Sequence, residues 1–322
     1  MLFTRLFVVV FYLGCFSANA QELIVASPDQ RLQVKAGIKN GELYYQVFSG
    51  KKVVLLPSRL GLRLKKQDFS GQLTLLQIGD TEPVRDDYTM LTGKKSVVHY
   101  RANKKSIWLK NRSGKKLELV FQVSNDGLAF RYHLPDGGNQ EEVAEELTSY
   151  HFPDTSRSWL QPMSEAKTGW EQSNPSYEET YFPDQPVGAF SRAGWVYPAL
   201  FRSNASWVLI SEAAVDSQHC ASRLINDPGS SNYRVGIPDL REIFPGGRLL
   251  SQVNGNWYSP WRVLAIGSLS TITSSTLGTD LASPSRLKDL SFIKGGQASW
   301  SWINSKDDSI VYTEQKKYIS YA

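Results

Sequence analysis

The chain has 322 residues, of which 41% are hydrophobic and 21% charged, as in an ordinary soluble globular protein with one large or two smaller domains. Its net charge is +5, from 36 basic and 31 acidic side chains. The basic residues are scattered along the chain, and no nucleic-acid-binding module can be recognised. This pattern excludes nucleic acid as a partner.

The N-terminus has the features of a secretory signal. Arg5 precedes a short apolar run from Leu6 to Phe16, and Ala18-Asn19-Ala20 is a small-residue cleavage site. The sequence therefore predicts a signal peptide over residues 1–20 and a periplasmic or secreted protein. The apolar run is too short for a stable membrane span. Cys15 leaves a lipoprotein signal as the alternative, and cleavage after residue 20 would leave Cys220 without a disulfide partner.

The next hundred residues, from Leu23 to about Val123, largely alternate between apolar and polar side chains. Such alternation is typical of half-buried strands. Turn signals fall between the runs, at Gly50-Lys51, Ser70-Gly71 and Ser113-Gly114. Helical patterns are short and confined to Glu141 to Leu147 and to the C-terminus from Thr313. We therefore predict an all-β fold, a large antiparallel sandwich over residues 21–285.

The segment from Thr168 to Tyr181 concentrates groups suited to carbohydrate binding. It holds three carboxylates (Glu171, Glu178, Glu179) and three aromatic rings (Trp170, Tyr177, Tyr181). Carboxylate oxygens bind calcium and sugar hydroxyls, and aromatic faces stack on pyranose rings. The alternative interpretation is a surface loop with solvated glutamates. We name Glu171 as a substrate-binding candidate.

Several separate blocks of the sequence resemble the N-terminal region of glycoside hydrolase family 97. The blocks are Ser58–Leu64, Asn125–Pro135, Gly169–Tyr181, Val196–Phe201, Pro260–Ile272 and Asp289–Ile303. That bacterial family contains α-glucosidases and α-galactosidases, many of them calcium-dependent. This chain departs mildly from the usual pattern between Ser291 and Gly296, around an intact Trp300-Ser301-Trp302.

The resemblance implies a β-super-sandwich of the galactose-mutarotase-like kind, followed by a linker and the start of a (β/α)8 barrel over residues 286–322. The segment from Thr313 to Ala322 resembles the first barrel helix. Because a barrel needs on the order of 250 residues, we expect a truncated barrel here, with the missing barrel domain as intramolecular partner. The resemblance also places the catalytic carboxylates beyond Ala322, so none is nominated.

In the family, a sandwich loop supplies a glutamate to a calcium ion near the substrate. The matching segment here implies Glu178 as the metal ligand, with Glu179 and Glu171 as weaker choices. Adjacent residues on an extended segment point in opposite directions, so Glu178 and Glu179 are not expected to reach one ion together. Calcium takes six to eight oxygen ligands, so calcium binding by this chain alone should be weak or absent.

Aromatic residues near the C-terminus are further candidates. If the segment is a strand, its period of two places Trp300 and Trp302 on the same side. We name Trp302 as a candidate substrate-binding residue. The alternative is that both rings pack at the junction between the two domains. Trp257, Trp261 and Arg262 are interpreted as structural, with Arg262 paired to a carboxylate. The four histidines have no metal-ligand spacing.

The leading hypothesis is therefore the N-terminal part of a secreted calcium-dependent α-glycosidase that acts on oligosaccharides. Two alternatives remain: a stand-alone carbohydrate-binding or adaptor module without enzymatic activity, and an epimerase-like enzyme related to the mutarotases. The last is disfavoured because no histidine and glutamate can be matched to its catalytic pair.

Overall fold

A computed structural model describes residues 22–165, 180–243, 245–306 and 310–321. The signal sequence and the segment with Glu171, Glu178 and Glu179 lie outside the described residues. The described strands are β1 (Leu23–Ala26), β2 (Leu32–Lys39), β3 (Glu42–Ser49), β4 (Lys52–Leu60), β5 (Leu62–Leu64), β6 (Asp68–Phe69), β7 (Thr74–Ile78), β8 (Glu82–Thr89), β9 (Val97–Lys110), β10 (Lys116–Ser124), β11 (Gly127–Leu134), β12 (Glu141–Glu146), β13 (Ser149–His151), β14 (Arg157–Leu160), β15 (Phe182–Pro186), β16 (Ala199–Ser203), β17 (Ser206–Ala213), β18 (Arg223–Ile225), β19 (Asn232–Gly236), β20 (Gln252–Val253), β21 (Trp257–Tyr258) and β22 (Trp261–Gly267).

These strands form one large antiparallel sheet and three small ones. The large sheet has the order β15-β14-β16-β17-β22-β11-β10-β9-β7, with β21 beside β11 and β8 beside β9. The small sheets have the orders β1-β2-β3-β4, β20-β12-β5-β6 and β13-β19-β18. The strand pairs are antiparallel throughout the described residues. This architecture confirms the predicted all-β sandwich.

The main core lies between the large sheet and the small sheets, and its members alternate along most of the strands. On β10 the buried inner residues are Leu117, Leu119, Phe121 and Val123. The ring of Tyr45, on β3, lies 5.1 Å from that of Phe130 on β11 and joins the two layers. Burial of every second side chain is the reason for the period-two pattern in the sequence.

The outer face of the large sheet, which points away from the main core, carries a second, smaller apolar cluster. Val120, Ala129 and Val263 contribute to it from the sheet, and Leu277 and Leu281 cover them. Leu277 begins the second of two short helices that follow β22. This end of the outer face is thus closed by the chain itself.

Helices are few among the described residues: α1 (Leu269–Ser274), α2 (Leu277–Asp280), α3 (Trp302–Ser305), α4 (Tyr312–Tyr321) and a 3-10 turn (Leu240–Glu242). Residues up to Ala282 form one compact unit and Ser283–Ala322 a second. The second unit contains α3 and α4 and no strand among its described residues. The helix predicted from Thr313 is confirmed as α4. No described helix has the length and apolarity that crossing a membrane requires.

One predicted element is wrong. The stretch from Glu141 to Leu147 favours a helix by intrinsic propensity, yet Glu141–Glu146 is strand β12, paired with β5 and β20. Glu141, Val143 and Glu146 are buried on it. Strand pairing and the burial of these side chains outweigh a propensity of a few tenths of a kcal/mol per residue.

Close backbone approach at the β10–β11 turn makes Gly127 sensitive to substitution. A Cβ atom there would lie 2.2 Å from the carbonyl oxygen of Leu264 and 2.9 Å from Leu277, so strands β11 and β22 would have to separate. We expect Gly127→Ala to lower the free energy of unfolding by about 2 kcal/mol or more, measured by urea denaturation. Gly278→Ala, where nothing lies within 4 Å, is the control and should be neutral. Equal effects would contradict the packing argument.

Candidate functional site

The segment predicted to bind calcium connects two strands at one edge of the large sheet. Strand β14 pairs with β15, the outermost strand of the sheet, with Leu160 opposite Phe182. The side chain of Arg157 bonds both the carboxylate and the carbonyl oxygen of Asp184 across this pair. The candidates Glu171, Glu178 and Glu179 belong to the segment that connects β14 to β15. Their positions lie outside the described residues. Their roles therefore stay predictions.

The base of this segment is anchored by a buried tryptophan. Trp195 is 1% exposed, and its indole Nε1 donates a 3.0 Å hydrogen bond to the side chain of Asn226. Its backbone bridges to Pro162 on one side and Leu224 on the other. The chain therefore enters this segment from a packed, hydrogen-bonded part of the sandwich.

Charged side chains surround the same base. The buried Arg223 lies 2.5 Å from the carboxylate of the partly buried Glu242, and Arg192 lies 3.7 Å from the carboxylate of Glu165 at the surface. Hydrogen bonds from the Arg241 side chain and backbone lower the pKa of Asp239 well below its usual range. Since each of these carboxylates has an arginine partner, they are not a ready set of calcium ligands. No group of three or more metal-ligating side chains occurs in the described parts of the chain.

Trp302 is placed differently from the sequence prediction. It begins helix α3 rather than lying on a strand, and the described part of the second unit contains no strand. The rings of Trp300 and Trp302 still stack, 6.0 Å apart with 18° between their planes. Trp302 is 40% exposed, with the Lys306 amine 5.1 Å from its ring centre. Its sugar-binding role stays a prediction.

Arg262 is at the centre of a buried ion network, as predicted. Its Nε and Nη2 donate to both oxygens of Glu146, at 2.8 and 2.5 Å, and its Nη1 donates to Glu212 at 2.6 Å. Nη1 also donates to the Ser222 hydroxyl at 3.0 Å. Despite desolvation, which opposes the charge, the carboxylates raise the pKa of Arg262 well above its ordinary value. The network ties β12, β17 and β22 together, a structural role.

The structure brings a histidine and a glutamate together on the outer face of the large sheet. The His133 Nδ1 lies 2.7 Å from Glu118, and its Nε2 lies 2.6 Å from Asn256. However, Tyr258 stacks on the His133 ring at 4.0 Å. A ring that is bonded at both nitrogens and covered on one face is locally satisfied, so the pair lacks the access that an epimerase-like site needs.

Two clefts are candidates that the sequence did not indicate. One, of about 340 Å³, is lined by Arg59, Glu146 and Arg234 among others. The other, of about 560 Å³, has polar walls that include Gln218 and Gln252. Both are large enough for a sugar unit. Their walls come from segments far apart in the chain, so neither had a local signal in the sequence.

Comparison with known proteins gives one consistent result. The sequence model of the glycosyl-hydrolase 97 N-terminal family matches residues 25–284. A protein of Streptomyces bingchenggensis named probable retaining alpha-galactosidase is 32% identical over 298 residues, covering 92% of this chain and 43% of its own length. A retaining alpha-galactosidase of Bacteroides thetaiotaomicron is 22% identical over 316 residues, covering 92% of this chain and 47% of its own length.

Solved structures agree with these matches. The crystal structure of a beta-arabinopyranosidase is similar with a TM-score of 0.86 and 36% identity, covering 94% of this chain and 49% of that one. A glycoside hydrolase family 97 enzyme of Pseudoalteromonas sp. strain K8, solved with acarbose, has a TM-score of 0.76 and 22% identity over 93% of this chain and 45% of its own. At that identity the second likeness shows the fold alone. This chain spans about half the length of the relatives it matches.

The fold defines the class, an antiparallel β-sandwich similar to about half of a beta-arabinopyranosidase chain. The match over residues 25–284 then identifies the family: the chain belongs to the glycosyl-hydrolase 97 N-terminal family. The resemblance stated from sequence blocks is thereby confirmed.

Proposed function

We propose that this chain serves as the N-terminal domain of a secreted, calcium-dependent α-glycosidase that acts on oligosaccharides. Family membership over residues 25–284 is the observation that carries the proposal. The names of the two curated relatives favour an α-galactoside over an α-glucoside as substrate. The sandwich would supply residues to a site whose catalytic carboxyl groups are on the other half of the enzyme.

The segment between β14 and β15 would supply the calcium ligand. Its carboxylates are hard oxygen donors of the kind that calcium prefers, and it starts from the base anchored by Trp195. Glu178 is the proposed ligand, and Glu179 the weaker choice. Glu171 and Trp302 are proposed to contact the sugar, through hydroxyl groups and through stacking respectively. The signal peptide over residues 1–20 would direct the protein to the periplasm or outside.

A matched pair of glutamate variants tests the calcium ligand. The protein for this test is a fusion in which residues 21–322 replace the corresponding half of the Streptomyces relative. We expect Glu178→Gln to raise the calcium concentration for half-maximal α-galactosidase activity about tenfold or more, because one charged oxygen ligand is lost. Glu179→Gln, the control, should change it less than about twofold.

Three outcomes would count against the proposal. Equal effects of the two substitutions would remove the assignment of Glu178. Activity of the unmodified fusion that is unchanged by a calcium chelator would remove the calcium requirement. Hydrolysis of nitrophenyl α-glucoside in preference to the α-galactoside would reverse the substrate assignment.

A further inference from the structure

The larger of the two clefts, the polar cleft of about 560 Å³ beside Gln218 and Gln252, has an arginine in its wall that lacks a partner. Arg248 is exposed there, and its guanidinium group makes no ion pair or hydrogen bond with the described residues. Its charge acts on Glu142, but that carboxylate is already paired with Lys65. The guanidinium donors of Arg248 are therefore open to a ligand in the cleft.

Two amide side chains of the polar cleft are oriented by hydrogen bonds within the protein. Asn254 Oδ1 accepts a 2.9 Å bond from the backbone N–H of Gln140, which leaves the Nδ2 donors unused. Gln252 is oriented the other way: its Nε2 donates to Glu142 at 3.0 Å and to the carbonyl of Leu250 at 3.3 Å, so its Oε1 is left as an acceptor. The wall thus offers donors and acceptors whose positions are set before a ligand binds.

The acidic side chain next to the polar cleft is engaged elsewhere. The Asp216 carboxylate lies 2.9 Å from His219 Nδ1 and accepts a 2.8 Å bond from the backbone N–H of Gln218. The Gln218 carbonyl in turn accepts a 2.8 Å bond from the backbone N–H of Gln252, and the Gln218 side-chain amide has no bond with a described residue. Neither an aspartate nor a glutamate lines the cleft among the described residues. The wall therefore carries a positive charge at Arg248 and no negative charge.

We propose that the polar cleft binds an acidic sugar unit, with its carboxylate on Arg248 and its hydroxyl groups on the three amides. A planar carboxylate matches the paired N–H donors of a guanidinium group. Sugar hydroxyl groups both donate and accept, so they suit a wall that offers both kinds of group. The cleft volume falls within the range of about 300–1,000 Å³ that is typical of small-molecule sites. Binding here needs neither the catalytic half nor calcium, so it is tested apart from the proposed glycosidase function.

Cys220 provides a reporter inside the polar cleft. It lines the wall and is the single cysteine of residues 21–322, so its reaction with N-ethylmaleimide reports on this place alone. The test titrates residues 21–322, in low salt at neutral pH, with galacturonate, galactose and acetate, and follows binding by calorimetry and Cys220 labelling by mass spectrometry.

Galacturonate should bind with a dissociation constant on the order of 1 mM, because the cleft is open to water. Its affinity should be at least about tenfold higher than that of galactose, which lacks the carboxylate, and of acetate, which lacks the hydroxyl groups. Saturating galacturonate should slow the labelling of Cys220 severalfold, because the bound sugar covers the thiol.

Variants locate the site. Arg248→Met should weaken galacturonate binding at least about tenfold, and Arg248→Lys should weaken it severalfold because an ammonium group cannot make the paired contact. Arg85→Met is the matched control, because Arg85 on β8 is exposed, has no partner among the described residues and does not line the cleft. It removes the same charge and should change the affinity less than about twofold. A thermal melt of each variant confirms folding.

Four results would overturn the proposal. They are galacturonate binding that survives Arg248→Met, affinity for galactose or acetate equal to that for galacturonate, Cys220 labelling that saturating galacturonate leaves unchanged, and the absence of saturable galacturonate binding.

Discussion

Replacing Arg262 by methionine should lower the free energy of unfolding by about 3–5 kcal/mol, because the substitution leaves two carboxylates without a counter-charge inside the sandwich. The side chains of Arg262 and Glu146 are 4% and 7% exposed, so water cannot replace the lost partner. The effect should appear as a lower midpoint in urea denaturation followed by tryptophan fluorescence. The slope of the free energy of unfolding against urea concentration should stay unchanged.

The control for this prediction is an ion pair of the same chemistry at the surface. Arg63 and Glu145 are 2.5 Å apart but 45% and 51% exposed, and Arg63→Met should cost no more than about 1 kcal/mol. Adding Glu146→Leu to Arg262→Met should recover part of the loss, since it removes one of the orphaned charges. Similar costs for Arg262→Met and Arg63→Met, or no recovery in the double variant, would show that the network contributes little.

The chain on its own should show no glycosidase turnover. Glycoside hydrolysis needs two carboxyl groups on opposite sides of the scissile bond, about 5–5.5 Å apart in a retaining enzyme. The chain matches the N-terminal family region and about half of each relative, and the family resemblance places both carboxyl groups in the other half. Loss of both groups should abolish activity rather than reduce it modestly. The assay is release of nitrophenol from α-galactoside and α-glucoside substrates by residues 21–322, with calcium present.

A full-length relative such as the Streptomyces protein is the positive control for that assay. A circular dichroism spectrum of the chain typical of β-structure excludes misfolding as the cause of inactivity. Turnover above background that disappears on Glu178→Gln would show that the sandwich carries its own active site, contrary to the proposal.

Local pattern was sufficient for the strands in the first part of the sandwich and for the family. Leu117, Leu119, Phe121 and Val123 alternate because one face of β10 is buried, and that periodicity is visible in the sequence alone. The blocks of family resemblance are likewise runs of neighbouring residues. The same reasoning failed at Glu141–Glu146, where the residues favour a helix in isolation and strand pairing decides.

The partners of the charged residues could be decided only by the tertiary structure. The sequence predicts that Arg262 has a carboxylate partner, yet Glu146 is 116 residues away along the chain, and no local spacing indicates it. His133 is similar: strand pairing brings Tyr258, from a distant part of the sequence, onto its ring. Periodicity records which face of a strand is buried. Strand order, which depends on the packing of the whole chain, determines which side chains meet there.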